Sequence, residues 1–227
     1  MLLDFLSLVY PECCAACHRT LLKNEADICT ICLNSLPKIV LEQQGASEME
    51  QKFIGRLPLE QAYAFLQYGK GTITQQLLKK LKYHNRPNIG QLLGEAFGRH
   101  LLHNGLGGTF DCLLPIPLHP QKQKLRGYNQ SETIAAGMAE VLQIPLYTAM
   151  LYRKVHTMTQ TKLARFARWD NVAAVFETTP EAQAQLSNKH ILLVDDVITT
   201  GATVEACGAK LLALPNVRLS TAAIASA

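Results

Sequence analysis

The stretch "HILLVDDVITTGATVEACGAKLL", residues 190–212, decides how this chain is read. Ile191, Leu192, Leu193 and Val194 form a short apolar run of the kind that fills a strand buried on both faces. The run ends in two adjacent carboxylates, Asp195 and Asp196. A turn of Thr199, Thr200, Gly201, Ala202 and Thr203 follows and leads into a helical pattern. In an open parallel sheet, ligands sit beyond the carboxyl ends of the strands, which puts both acids at the mouth of a site. Small residues let the backbone approach an anion, a helix start aims unpaired N–H groups at it, and three hydroxyls add further donors. The turn therefore reads as a phosphate cradle, although no Gly-Lys-Ser/Thr of a Walker loop is present. Carboxylates beside such a cradle repel a bare phosphate tail. They make sense as acceptors for sugar hydroxyls, with Mg²⁺ offsetting the charge. A ribose 5-phosphate unit satisfies both halves, its phosphate in the turn and its 2- and 3-hydroxyls on Asp195 and Asp196.

The amino-terminal end carries a second pattern. Five of the seven cysteines fall in "CCAACHRTLLKNEADICTIC", residues 13–32. Cys14 and Cys17, then Cys29 and Cys32, make two C-x-x-C knuckles, the spacing that places four thiolates around Zn²⁺. The alternative is a disulfide framework, which a cytosolic chain without a secretory signal disfavours. Four protein ligands close the coordination sphere, so the expected zinc is structural. Cys112 and Cys207 lie in apolar surroundings and read as core.

At 227 residues the chain is long enough for one ordinary domain with a small appendage. No apolar run reaches the roughly 20 residues of a membrane span, and the reading is a cytoplasmic protein without membrane insertion. A balance of 22 Lys and Arg against 18 Asp and Glu is only mildly basic and names no partner by itself. Its distribution says more: Lys70, Lys79, Lys80, Lys82, Arg86 and Arg99 face a single acid, Glu95, over residues 70–99. That asymmetry suits an anionic ligand, or simply a solvated helix face.

Between these ends, strand and helix patterns alternate, which predicts a mostly parallel α/β sheet flanked by helices. Residues 41–53 read as a linker or connecting helix, and "LPLEQAYAFLQYG" as a strand. Ile73, Leu77, Leu78 and Leu81 recur at helical spacing before Pro87, and a second helix is expected over 89–103. "FDCLLPIPLHP" reads as a buried strand and "QKQKLRGYNQS" as a basic loop before a helix over about 131–142. "IPLYTAMLYR" and "VAAVFET" read as further strands, and "VRLSTAAIA" as the last one. The expected division is a zinc-ribbon module with linker over 1–50 and an α/β domain over 51–227.

These residues amount to a resemblance. "ILLVDDVITTGAT" is similar to the signature of type I phosphoribosyltransferases, which bind 5-phosphoribosyl 1-pyrophosphate (PRPP); a strand with an accidental Asp pair gives no reason for the Thr-Gly turn. Together with the paired knuckles, "PIPLH", "RGYNQSETIA" and the series in "LYRKVHTMTQTKLARFARWDNVAAVF", the order of motifs resembles the competence protein F family over nearly the whole chain. The resemblance implies a bacterial cytoplasmic protein linked to natural transformation, a type I phosphoribosyltransferase fold, PRPP with Mg²⁺, and, as partners, single-stranded DNA and a competence helicase. It further implies that Leu118 and His119, with Arg126 nearby, face the pyrophosphate, and that Arg153, Gln160, Arg165 and Arg168 lie on a loop that closes over PRPP, with Arg153 and Arg165 joining Asp195 and Asp196 in catalysis. Arg126 fits an ordinary surface position beside a helix start equally well.

Two classes of function follow. One is Mg²⁺-dependent transfer of the phosphoribosyl group, including nucleobase salvage or amido transfer, although no segment reads as a base-recognising hood. The other keeps the PRPP fold without catalysis and assigns the work to single-stranded DNA or a protein partner, with the lysine-rich helix, Tyr83, Tyr128 and Trp169 as contact surface.

Overall fold

The computed structural model describes residues 11–41, 47–154 and 175–227. Its centre is a parallel sheet ordered β1 (Ala62–Leu66), β6 (Arg218–Ser226), β5 (His190–Ile198), β2 (Cys112–Pro115). The residues of β5 alternate between two cores. Leu192 and Val194 join the cluster on one face, Ile191 and Leu193 that on the other, and all four are fully buried. This explains why the run is apolar without polar interruptions. A separate antiparallel pair, β3 (Leu151–Arg153) and β4 (Phe176–Thr178), packs near the second core.

On the first face lie α3 (Ile73–Tyr83), α4 (Pro87–His103) and α6 (Gln130–Leu142). Helices α4 and α6 touch backbone to backbone: a Cβ added at Gly94 would fall 2.0 Å from the Ile134 carbonyl oxygen, and one at Gly137 2.2 Å from that of Gln91. On the second face lie α2 (Glu48–Gln51), α7 (Ala182–Leu186) and α8 (Ala202–Leu211). The cysteine knuckles, with α1 (Thr30–Asn34) between Cys29 and Ser35, pack into the first core alongside Phe65, Leu77 and Leu81.

Several sequence expectations need correction. The basic stretch after His119 is not a loop throughout: Pro120–Arg126 forms a helix, α5. Its proline sits at the start, the His119 side chain accepts from the Gln121 amide, and Gly127 stops it in the left-handed region at φ 81°. "IPLYTAMLYR" gives a strand only over its last three residues, with Leu146 making a lone bridge to Leu113. The short helix α7 has no periodic pattern that announces it in the sequence. Of "VAAVFET", Phe176–Thr178 is the strand and residues 172–174 lie outside the described residues.

Candidate functional site

The carboxyl end of β5 is shaped by its neighbours. Val194 pairs with Pro115 of β2 and Asp195 with Ala223 of β6, so both acids stand where the sheet opens. Asp195 Oδ1 accepts from the Ser131 hydroxyl at 3.0 Å and from the Asp196 amide at 2.8 Å. Asp196 Oδ1 meets Lys82 Nζ of α3 at 3.0 Å. Burial first, then the charge of Asp196, pushes the Asp195 carboxyl up to about 7, against the pull of its two hydrogen bonds and of Lys82. The acid pair is thus held by one hydroxyl from α6 and one ammonium from α3.

Ser131 is in turn placed by the "RGYNQS" turn. Asn129 caps α6 by accepting from the Ser131 amide at 3.2 Å, and it donates to the Ile116 carbonyl at 3.0 Å. The Tyr128 hydroxyl donates to the Leu81 carbonyl, one residue before Lys82. One short segment therefore ties the end of β2, the end of α3 and Asp195 together.

After Ile198 the chain turns. Thr199, Thr200 and Thr203 are exposed, Gly201 is buried, and Gly201 takes φ 80° as the residue before α8. A left-handed position favours glycine, and here a Cβ would also lie 2.7 Å from Phe53 Cε1. A small cleft is lined by Asp195 and by Val197 to Val204. The ten-residue helix α8 directs its first N–H groups toward this loop, as the sequence predicts.

The remaining predicted residues fall as follows. Leu118 and His119 follow β2 at the same end of the sheet, where the amide of Ile116 bonds the Val194 carbonyl at 2.9 Å; His119 caps α5 with its ring. Arg126 donates to Gln130 Oε1 at 2.7 Å and lies over the Tyr83 ring at 5.4 Å, next in sequence to Lys82. Arg153 lies over the Phe176 ring at 5.4 Å, on the β3–β4 pair. Gln160, Arg165, Arg168 and Trp169 lie outside the described residues. His190 is held within the core, its ring nitrogens 2.9 Å from the Thr109 carbonyl and the Ser220 hydroxyl.

Ser131 and Lys82 are partners of the acid pair that the sequence does not single out. Lys82 stood in the basic run and Ser131 in a quoted motif, but nothing local marks either as a partner of residues 64 or more positions away.

The four Sγ atoms of Cys14, Cys17, Cys29 and Cys32 lie within 4.8 Å of one another, and those of Cys17 and Cys29 are 3.8 Å apart. Tetrahedral zinc at its usual thiolate distance has edges of about 3.8 Å, so the donor set fits Zn²⁺. Cys14 is prepared as a thiolate: burial opposes the charge, but N–H donors of Cys29, Cys17 and Ala16 outweigh it and bring the thiol down to about 6. The knuckle is bolted to the helices by Lys80 Nζ on the Ala15 carbonyl at 2.8 Å and by Arg86 on Asp27 at 2.5 Å.

No family model matches the chain. Over 94 residues it is 33% identical to Competence protein F of Haemophilus influenzae, a stretch spanning 41% of this chain and 41% of that protein. Against the DNA utilization protein YhgH of Escherichia coli (strain K12) identity is 25% over 209 residues, 87% of this chain and 89% of that one. The chain is a homologue of Competence protein F and YhgH. The match to Competence protein F takes in less than half of that protein's length, whereas the YhgH match is nearly end to end. Among solved structures the chain is similar to adenine phosphoribosyltransferase, with 17% identity and a TM-score of 0.41 over 64% of this chain and 74% of that one. No helix among the described residues is long and apolar enough to cross a membrane.

Proposed function

We propose that this protein is a cytoplasmic, PRPP-binding phosphoribosyltransferase-like protein that serves the uptake and use of DNA. The observation that carries the PRPP reading is the placement of Asp195 and Asp196 at the open end of a parallel sheet, directly before a glycine-hinged helix start. In this reading the 5-phosphate of Mg²⁺-PRPP sits on the amides and hydroxyls of Thr199 to Thr203, and the ribose diol donates to Asp195 and Asp196. Leu118 and His119, through their backbone, and Arg126 face the pyrophosphate. Arg153 and Arg165 complete the site. Charge supports the assignment, because Lys82 meets Asp196 and Arg126 lies over the ring of Tyr83, the next residue along the same helix. Zn²⁺ on Cys14, Cys17, Cys29 and Cys32 is structural, since four thiolates leave no open position. The division into a zinc-ribbon module over 1–50 and a phosphoribosyltransferase-like domain over 51–227 belongs to the same proposal.

Isothermal titration with PRPP and Mg²⁺ tests the site. Wild type is expected to bind at one site per chain, and an Asp195→Asn/Asp196→Asn variant to lose most of that affinity. Absence of heat from a folded wild type refutes the proposal. The link to DNA rests on the relatives' names.

A second reading, binding of single-stranded DNA without catalysis, draws on one feature. Helix α5 exposes Lys122 and Lys124, and beside it Tyr83 is 69% exposed beneath Arg126. Cations interleaved with a free aromatic face suit a nucleic-acid strand. Steeply salt-dependent binding of an oligonucleotide, abolished by Tyr83→Ala with Lys122→Ala, is the expected result under this reading. Pyrophosphate release upon adding a single nucleobase acceptor favours the transferase.

A further inference from the structure

An anion loop works only when its amides face the ligand, and what turns them is found on the far side of this one. Across a trans peptide the C=O of one residue and the N–H of the next point in opposite directions. The carbonyl of Thr199 is held by Lys52 Nζ at 2.6 Å, and the same ammonium holds the Ala227 carbonyl at 2.7 Å. The carbonyl of Thr200 is held by Arg56 Nη1 at 2.9 Å. The N–H groups of Thr200 and Gly201 must therefore point away from Lys52 and Arg56. Among the described residues these two amides have no acceptor.

The segment that carries the two cations is itself fixed. Ser47 and Glu50 form a reciprocal capping box on α2, Glu50 accepts from the Ala62 amide at 3.2 Å, and the Ser47 hydroxyl donates to the Ala62 carbonyl at 3.3 Å. Phe53 is buried against Gly201. Arg56 also reaches the Lys52 carbonyl at 3.0 Å and Glu205, in the first turn of α8, at 2.5 Å. One turn of chain, anchored to β1, thus covers the outer surface of the loop.

From this geometry we infer that Lys52 and Arg56 are positioning residues for a phosphate monoester, turning the Thr200 and Gly201 amides into the cleft from behind. The inference rests on the PRPP reading of the site and adds what organises its phosphate half. Neither side chain touches the ligand. Each acts through a carbonyl, and each adds positive charge one peptide away from the donors.

The test uses the full chain and ribose 5-phosphate as probe, followed by titration calorimetry and by the ³¹P resonance of the bound phosphate. Lys52→Met and Arg56→Gln are each expected to weaken binding about five- to tenfold, by loss of a charge-assisted bond that orients a donor, and to move the bound ³¹P resonance. Lys52→Arg is expected to restore both, and Lys70→Met, which removes a charge elsewhere, to change neither. Circular dichroism keeps a misfolded variant from being counted; if Lys52→Met does not fold, Arg56→Gln alone decides. A wild type that binds no ribose 5-phosphate overturns the PRPP reading and this inference together. A wild type that binds, with folded variants of equal affinity and unmoved resonance, overturns this inference alone.

Discussion

Lys82 Nζ lies 3.0 Å from Asp196 Oδ1, with 24% and 13% of the two side chains exposed, so a helix from one face of the sheet neutralises one of two adjacent acids. Removing the ammonium leaves Asp196 charged, shielded and beside Asp195. Lys82→Met is expected to destabilise the protein by about 1–3 kcal/mol at neutral pH, and Asp196→Asn in the same chain to recover most of it. Urea unfolding of the two single variants and the double variant measures the coupling. A Lys82→Met chain as stable as wild type contradicts the account.

The raised Asp195 carboxyl gives a pH dependence with a definite sign. An unfolded Asp titrates near about 3.9, whereas the folded group titrates at about 7. Between those values the folded chain holds a proton that the unfolded chain has released, so stability falls as pH rises from about 4 to 7 and levels off above. Asp195→Asn keeps the Oδ1 acceptor for Ser131 and for the Asp196 amide. It is expected to flatten this slope and to gain on the order of 2–4 kcal/mol over wild type at pH 8. Ser131→Ala, which removes a bond to the charged form, extends the decline to higher pH. Denaturant midpoints at intervals across this range check the sign.

The knuckle's contribution is open to metal removal. Cys14, Cys29 and Cys32 belong to the same buried cluster as Phe65, Leu77 and Leu81. Stripping the metal therefore loosens the face that carries α3, beyond the knuckle itself. About one equivalent of zinc per chain is expected, and its chelation, or Cys32→Ser, is expected to cost several kcal/mol. Metal analysis together with thermal unfolding before and after chelation provides the measurement; unchanged unfolding refutes it.

Gly201 supplies a backbone test. Gly201→Ala places a Cβ at φ 80° and 2.7 Å from Phe53 Cε1. A cost of about 1–3 kcal/mol is expected from the backbone alone, with the collision added. Phe53→Leu in the same chain relieves only the collision. Gly71→Ala, at φ 80° with nothing within 4 Å, isolates the backbone part.

Much of this arrangement is legible in residues 190–212, because strand, turn and helix there follow from local pattern: an apolar run buried on both faces, a glycine at a positive φ, and a helix after it. The cysteine spacing is equally local. Helices α3, α4 and α6 follow from periodicity, with boundaries shifted by a residue or two. The basic stretch at 120–126 misleads because it lacks an apolar face; no residue of α5 is buried, and its helix is set by Pro120 and Gly127. The partners of the acid pair and of the loop are illegible for a different reason. Lys52 meets Thr199 across 147 positions and Ser131 meets Asp195 across 64, distances that only the folded sheet closes.

The hold of Ser47 and Glu50 on Ala62 has a practical bearing on how the protein is cut. A fragment begun at residue 51 retains Lys52, Phe53 and Arg56 yet discards the clamp that aims them, so its first turn is free to fray. Such a fragment would keep the parallel sheet with an unguided loop, and poor ligand affinity in it would reflect the scissors rather than the site. Shortening experiments on this chain therefore belong upstream of Ser47.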